Sequence, residues 1–406
     1  MKRNLLAIAI PALLVAAGAN ASIEVWNKDG NKVDFYGRVK AANHITDRGQ
    51  DGEGDDSSAR LGMSGQTQIT DGITGYGRWE YEAKAGKDSS NEVRYAFAGL
   101  NFGDYGSFDY GRNDGVLKAL TAYTDVLPEF GGDAANNAWH VLTERTKAVA
   151  TYRNNNFFGL TDDLSFALQY ADNGDATKAQ FSKAKYDDDD NLISAGSARD
   201  RINGKSKEAW GANLQWRIFD TGLTAGVGYA QSSGSSDRAN TWTTGIKYDN
   251  YNLYLAANYF QSKWKKGYDH DKMIDGDYYH YGESDIKIKG VELVAQYGFD
   301  LDVGRLTPSL AYVQHKADYD GLNYKDATSV TGYNHLNGKN SPLVKYVSVG
   351  ATYDLNKNFS TFIEYKFNLL DRKDIGAELN TTHQRDRHVN KPGTKDVLGL
   401  GMIYQF

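Results

Sequence analysis

Segment after segment of this chain is apolar at every second residue, a period that fits one face of a β-strand and no helix. From Asp396 to Phe406 the residues Val397, Gly399, Gly401, Ile403 and Gln405 share one face, with Leu398, Leu400, Met402, Tyr404 and Phe406 on the other. In 289–299 Val291, Leu293, Ala295, Tyr297 and Phe299 oppose Glu292, Val294, Gln296 and Gly298. Leu253, Leu255, Ala257 and Tyr259 oppose Asn252, Tyr254, Ala256 and Asn258, and Val347, Val349, Ala351 and Tyr353 oppose Ser348, Gly350 and Thr352. These are strands with one apolar side.

The connectors alternate in length. Short polar or glycine turns are expected at Asp71-Gly72, Gly103-Asp104, 159–163, Asp220-Thr221-Gly222, Asp249-Asn250, 301–304 and 355–358. Long charged connectors are expected at 46–57, 172–208, 263–288, 316–345 and 371–395. The pattern predicts about sixteen antiparallel strands of roughly ten residues, short turns at one end and long loops at the other, as in a transmembrane barrel. An open sheet or sandwich of that many strands leaves exposed edges, and nothing in the sequence blunts one. Closure removes the edges and satisfies every backbone group in lipid.

The polar face is too charged for a dry core. It carries Arg38 and Lys40 near the start, then Arg60, Gln66 and Gln68, and later Glu364 and Lys366; unpaired, such groups do not survive burial. A barrel of about sixteen strands is also too wide for side chains to fill. The predicted interior is wet, and a charged tube open at both ends is a channel.

Composition sets the compartment. Lys2 and Arg3, the apolar run from Leu5 to Ala17 and the Ala19-Asn20-Ala21 site read as a secretory signal peptide over 1–21, leaving 22–406 as the mature chain. Its removal takes 46 basic residues to 44 against 52 acidic, net −8, a poor charge for binding nucleic acid. There is no cysteine in 406 residues, so no disulfide supports the exported form. Aromatics at 13% exclude a disordered tail, and no later run approaches the ~18 apolar residues of a spanning helix.

Several motifs together make the chain resemble an enterobacterial general diffusion porin over its whole mature length. They are 27–34 (NKDGNKVD), Gly75-Tyr76-Gly77 with Trp79-Glu80-Tyr81, Phe97-Ala98-Gly99-Leu100, 106–113 (GSFDYGRN), 123–133 (YTDVLPEFGGD), 150–154 (ATYRN), 254–259 (YLAANY) and the terminal Tyr404-Gln405-Phe406. The resemblance implies a sixteen-stranded homotrimer in outer-membrane lipid and lipopolysaccharide, passing ions and small hydrophilic solutes. It also implies a third loop, about 114–144, folded into the lumen as an eyelet. The implied wall cations are Arg38, Arg60, Arg94 and Arg145; the implied loop acids are Asp125, Glu129 and Asp133. Alternation places Arg60 opposite Leu61 and Met63, Arg94 opposite Val93 and Tyr95, and Arg145 opposite Ala148, Ala150 and Tyr152. The terminal Phe406 is implied as a signal to the insertion machinery. Val33, Phe35, Val39, Leu398 and Leu400 offer an apolar outer face for subunit packing.

This chain departs from the family pattern at Lys118, Ala119, Asp114 and Lys147, which makes these positions candidate modifiers of ion selectivity. A Lys118–Asp114 ion pair is the competing expectation. The second loop, 83–91, is short, with Asp88 and Glu92 as candidate partners for Arg112. The run Asp187–Asp190 reads as a solvated loop. The eight histidines are scattered, with no HExxH, and there is no G-x-S-x-G or P-loop; no cofactor or metal is expected. A solute-specific channel is the alternative, and a barrel enzyme is the more distant one.

Overall fold

The computed structural model describes residues 22–47, 53–86, 91–136, 140–172, 185–186, 192–194, 208–233, 238–274, 277–319, 341–370 and 395–406. The expected signal segment 1–21, Asp88 and Asp187–Asp190 lie outside the described residues.

Sixteen strands form the wall. They are β1 (Asn31–Ile45), β2 (Ser58–Thr70), β3 (Ile73–Lys84), β4 (Asn91–Asn101), β5 (Ser107–Asp114), β6 (Arg145–Asn154), β7 (Leu164–Ala171) and β8 (Glu208–Arg217). Then follow β9 (Leu223–Ser233), β10 (Ala239–Asn250), β11 (Leu253–Ile274), β12 (Asp277–Tyr297), β13 (Arg305–Tyr319), β14 (Ser341–Asn356), β15 (Phe359–Asn368) and β16 (Val397–Gln405). Each pairs antiparallel with the next. The ring closes where β1 meets β16, from Arg38↔Gln405 to Ile45↔Leu398. Gly37 and Phe406 extend the seam by exchanging two backbone hydrogen bonds of 2.8 and 3.0 Å. Before β1, Ile23–Lys28 folds back on it through a turn at Asp29-Gly30, both at positive φ.

Burial follows the alternation. Val39, Leu61, Met63, Leu255, Leu293, Val349, Leu400 and Met402 are exposed on the outside, where lipid is their solvent. Among the described residues no helix is long and apolar enough to cross a membrane; the strands do so. Tyr105, Phe158, Phe219, Tyr251 and Phe299 stand exposed in or beside the short turns, an aromatic belt at one membrane interface.

Three details differ from the sequence reading. The turn expected at Asp249-Asn250 sits two residues later, at Tyr251 and Asn252, both left-handed at φ 52° and 61°. Residues 263–288, expected as a long connector, belong largely to strands: β11 and β12 pair out to Ile274↔Asp277. Charged and polar residues crowd that run, so alternation weakens while backbone pairing continues. Finally, Tyr95 was expected outside with Val93. A β-bulge in β4 places Glu80 of β3 opposite Tyr95 and Tyr81 opposite Val93, making Arg94 the extra residue. Val93 stays outside at 40% exposure while Tyr95 turns inward at 3%, the flip that one inserted residue imposes.

Candidate functional site

Residues 115–144 connect β5 to β6 and carry two short helical turns, Lys118–Thr121 and Asp133–Asn136. The segment lies against the inward faces of the far strands. At its entry, Val116 N–H donates to Gln169 of β7 (2.8 Å) and Val116 O accepts from Asn213 of β8 (2.6 Å). Leu117 and Leu120 then press on Gly226 and Gly228 of β9; a Cβ there would come within 2.3 to 2.6 Å of a leucine methyl. Only a wall without side chains admits the loop so closely. Further on, Tyr123 donates to Gln215 (2.6 Å), its carbonyl accepts from Tyr254 (2.6 Å), and Val126 O accepts from Gln296 of β12 (2.8 Å).

Two buried carboxylates hold the loop. Glu292 of β12 accepts from Thr124 Oγ1 (2.5 Å) and Ala134 N (2.7 Å), with His315 Nε2 at 3.1 Å. Glu364 of β15 accepts from the backbone N–H groups of Glu129 (2.8 Å) and Phe130 (3.0 Å) and from Ser348 Oγ. A buried carboxylate is tolerated because each oxygen has donors. His140, near the loop's end, is fully buried against Phe260 and His315, with Nδ1 2.6 Å from Ser262 Oγ. Burial, with the nearby His315, holds its pKa well below the usual histidine value.

The loop thus covers β7 to β16 and reaches β1, and the inner face of β2 to β6 is left to a charged network. Arg60 Nε bonds Glu82 (2.5 Å); Arg94 bonds Glu80 (2.6 Å) and Glu82 (2.8 Å); Arg78 bonds Glu80 (2.6 Å). Arg38 lies in register with Arg60, and its buried Nε has no hydrogen-bond partner among the described residues. Arg145 and Arg112 approach Glu92 at 3.7 and 3.5 Å, which makes Glu92, at the start of β4, the partner of Arg112 within this chain. Lys40, Arg60, Lys84, Arg94 and Arg145, with Asp56, Glu82 and Glu92, line a cleft of about 210 Å³.

The wall arginines bond to acids of the wall, and the loop acids bond elsewhere. The nearest acids to Arg60 and Arg94 are Glu80 and Glu82 on the wall itself. Asp133 accepts from Tyr346 (2.6 Å). Glu129 meets Lys40 (2.8 Å) and His44 (2.9 Å) of β1. Asp125 is half-buried; burial raises its pKa, partly offset by the Lys118 charge. Lys118 pairs with Asp114 at 3.4 Å across one turn, and Asp114 also accepts from the Tyr95 hydroxyl (3.0 Å). Lys147 is exposed, next to Ala148 at φ 52° in a second bulge.

Sequence reasoning missed the inward tyrosines and the anchoring glutamates. Tyr36 donates to Glu80 (2.9 Å), Tyr76 to Asp109 (3.0 Å) and Tyr95 to Asp114. Period two does mark Glu292 and Glu364 as inward, but nothing in it tells a solvated lumen acid from one that binds a loop 158 to 235 residues away.

A closed sixteen-stranded antiparallel barrel, apolar outside and charged inside, with a loop lying along its inner wall, is an outer-membrane channel protein. The chain belongs to the Gram-negative porin family, whose match spans residues 28–406. It is similar to outer membrane protein S2 of Salmonella typhi, 41% identical over all of both chains, and to outer membrane porin N of Escherichia coli, 38% identical over all of both chains. Among solved structures it resembles the Salmonella typhi OmpF complex with daunomycin, TM-score 0.68 and 31% identity, covering 95% of this chain and 100% of that one. It is a Gram-negative outer-membrane porin, a water-filled channel for passive diffusion of ions and small hydrophilic solutes.

Proposed function

We propose that residues 114–144 are the constriction of this non-specific channel. Arg38, Arg60, Arg94 and Arg145 form its basic side, and Asp125, Glu129 and Asp133 its acidic side. The observation that carries the reading is the division of the inner wall: hydrogen bonds to Glu292 and Glu364 hold the loop along one side, and Arg60, Arg94 and Arg145 line the other. A narrow wet slot between opposite charges lets polar solutes reorient and slows apolar ones, which must displace ordered water. Glu80 and Glu82 balance much of the arginine charge, so the transverse field is weaker than a bare count of eyelet charges suggests. Asp114, Lys118 and Lys147 modify it. The inward tyrosines are engaged by wall carboxylates rather than exposed as a sugar-binding slide, which favours a non-specific over a solute-specific channel. Nothing in this arrangement calls for catalysis.

The working form is a homotrimer packed through outer-face residues of the terminal strands, such as Val39 and Leu400, reached after removal of 1–21. Liposome swelling with sugars of graded size tests the reading. Rates should fall smoothly with size and show no saturation; saturable uptake of one sugar would mean a solute-specific channel. Unheated SDS samples should run as a trimer, and a conducting preparation that runs only as a monomer would contradict that part.

A further inference from the structure

Lys40 occupies an unusual place on the wall. Its ammonium group is 2.8 Å from Glu129 Oε1 at the loop tip and 2.5 Å from Asp56 Oδ2, just before β2. His44, two inward positions further along β1, brings Nε2 to 2.9 Å from the same Glu129 oxygen. The Lys40 side chain is 12% exposed and that of Glu129 only 3%. The donors of His44, Asp56 and Glu129 lie within 4.8 Å of one another, and the cation among them is Lys40. The backbone N–H of Glu129 is fixed to Glu364 at the same time. The loop tip is thus fastened across the seam, to β15 through its backbone and to β1 through its side chain.

We propose that Lys40 is a selectivity-determining clasp: it neutralises the loop-tip carboxylate of Glu129 and holds it against β1, making the constriction less cation-preferring than its acidic loop implies. The proposal rests on the porin reading above. A charge-assisted hydrogen bond at this distance is among the stronger polar contacts, and the narrow lumen brings every passing ion close to it. Without Lys40 the slot keeps Glu129 and Asp56 and loses a positive charge. One unit charge ~7 Å from the ion path acts with opposite signs on potassium and chloride, and after screening by about 0.1 M salt it changes their permeability ratio about two- to three-fold.

The experiment records reversal potentials in a KCl gradient across planar bilayers for wild type, Lys40→Gln, Lys40→Arg and Lys40→Gln/Glu129→Gln. Wild type that does not conduct would sink the porin reading itself. With conduction established, Lys40→Gln should raise the potassium-to-chloride permeability ratio about two- to three-fold. Lys40→Arg should stay near wild type, and the double variant should return most of the way. Open-channel noise should rise in Lys40→Gln as the loop tip is released. An unchanged ratio in Lys40→Gln, or a Lys40→Arg that behaves like it, overturns the proposal. Lys40→Arg keeps the charge at the site, so it also serves if Lys40→Gln fails to assemble.

Discussion

Glu364 Oε2 accepts the backbone N–H groups of Glu129 and Phe130 together, at 2.8 and 3.0 Å. One side chain of β15 thereby caps two consecutive donors at the point where the inner loop turns. Glu364→Ala leaves both N–H groups without partners, at a cost on the order of 1–3 kcal/mol each where water does not replace the bond. The loop tip should loosen. Open-channel noise and swelling rates for the larger sugars should both increase, while Glu364→Gln, which keeps one acceptor oxygen, should fall between. Wild-type noise in Glu364→Ala would show that the loop does not depend on this anchor.

Acid should act on the loop carboxyls in sequence. Burial alone raises the Glu129 carboxyl, but its hydrogen bonds with His44 and Lys40 and the Lys40 charge bring it down to about 2. A depressed value means the tether's contribution is fully present above the ordinary carboxylate range, near 4.3, and is lost only as pH falls through about 2. Asp125 is shifted the opposite way: burial raises it, so the cost of its ionised form is present above its folded pKa and relieved below it. On acidification Asp125 should discharge before Glu129, weakening cation preference without added noise. Noise that climbs steeply above pH 4 would mean the Glu129 tether is weaker than its contacts imply.

Lys118 should matter less than Lys40. Lys40 lines the cleft with Arg60, Arg94 and Arg145, whereas Lys118 lies outside that lining and pairs with Asp114, four residues earlier at the end of β5, at 3.4 Å. Lys118→Tyr is therefore expected to move the reversal potential towards cation preference by less than Lys40→Gln does. Lys147→Gly should have a small effect of the same sign. A Lys118→Tyr shift larger than the Lys40→Gln shift would mean that the Lys118–Asp114 pair is open in the working channel.

Phe406 has a structural as well as a proposed signalling role. Its backbone is bonded to Gly37 in both directions, and its ring lies over Gly37, close enough that a Cβ there would sit 2.5 Å from Cζ. Deleting Phe406 should lower the amount of folded barrel in the membrane and leave the unit conductance of surviving channels unchanged. Full yields after deletion would remove both roles.

Much of the fold was legible because lipid imposes one rule on every strand. Alternation at Leu253–Tyr259 and 289–297 predicted which side faces out, and the short turns marked the strand ends to within about four residues. It failed where charged and polar residues crowd the sequence, as in 263–288, and where Arg94 adds a residue and turns Tyr95 inward. The site was less legible. Resemblance pointed to Asp125, Glu129 and Asp133, but pairing Glu129 with Lys40 and His44 depends on how far the loop reaches around the barrel, and no local pattern encodes that. The carboxylates balancing the arginines were likewise hidden, since Glu80 and Glu82 look like any other lumen-facing residues until β2, β3 and β4 are set in register.

The central claim, a water-filled and non-specific pore, is tested most directly by single-channel conductance of the purified protein in planar bilayers over a wide range of KCl concentrations. Conductance should rise in proportion to the conductivity of the bathing solution and should not saturate. Conductance that saturates at low salt, or that is blocked at micromolar concentrations of one small hydrophilic solute, would contradict it.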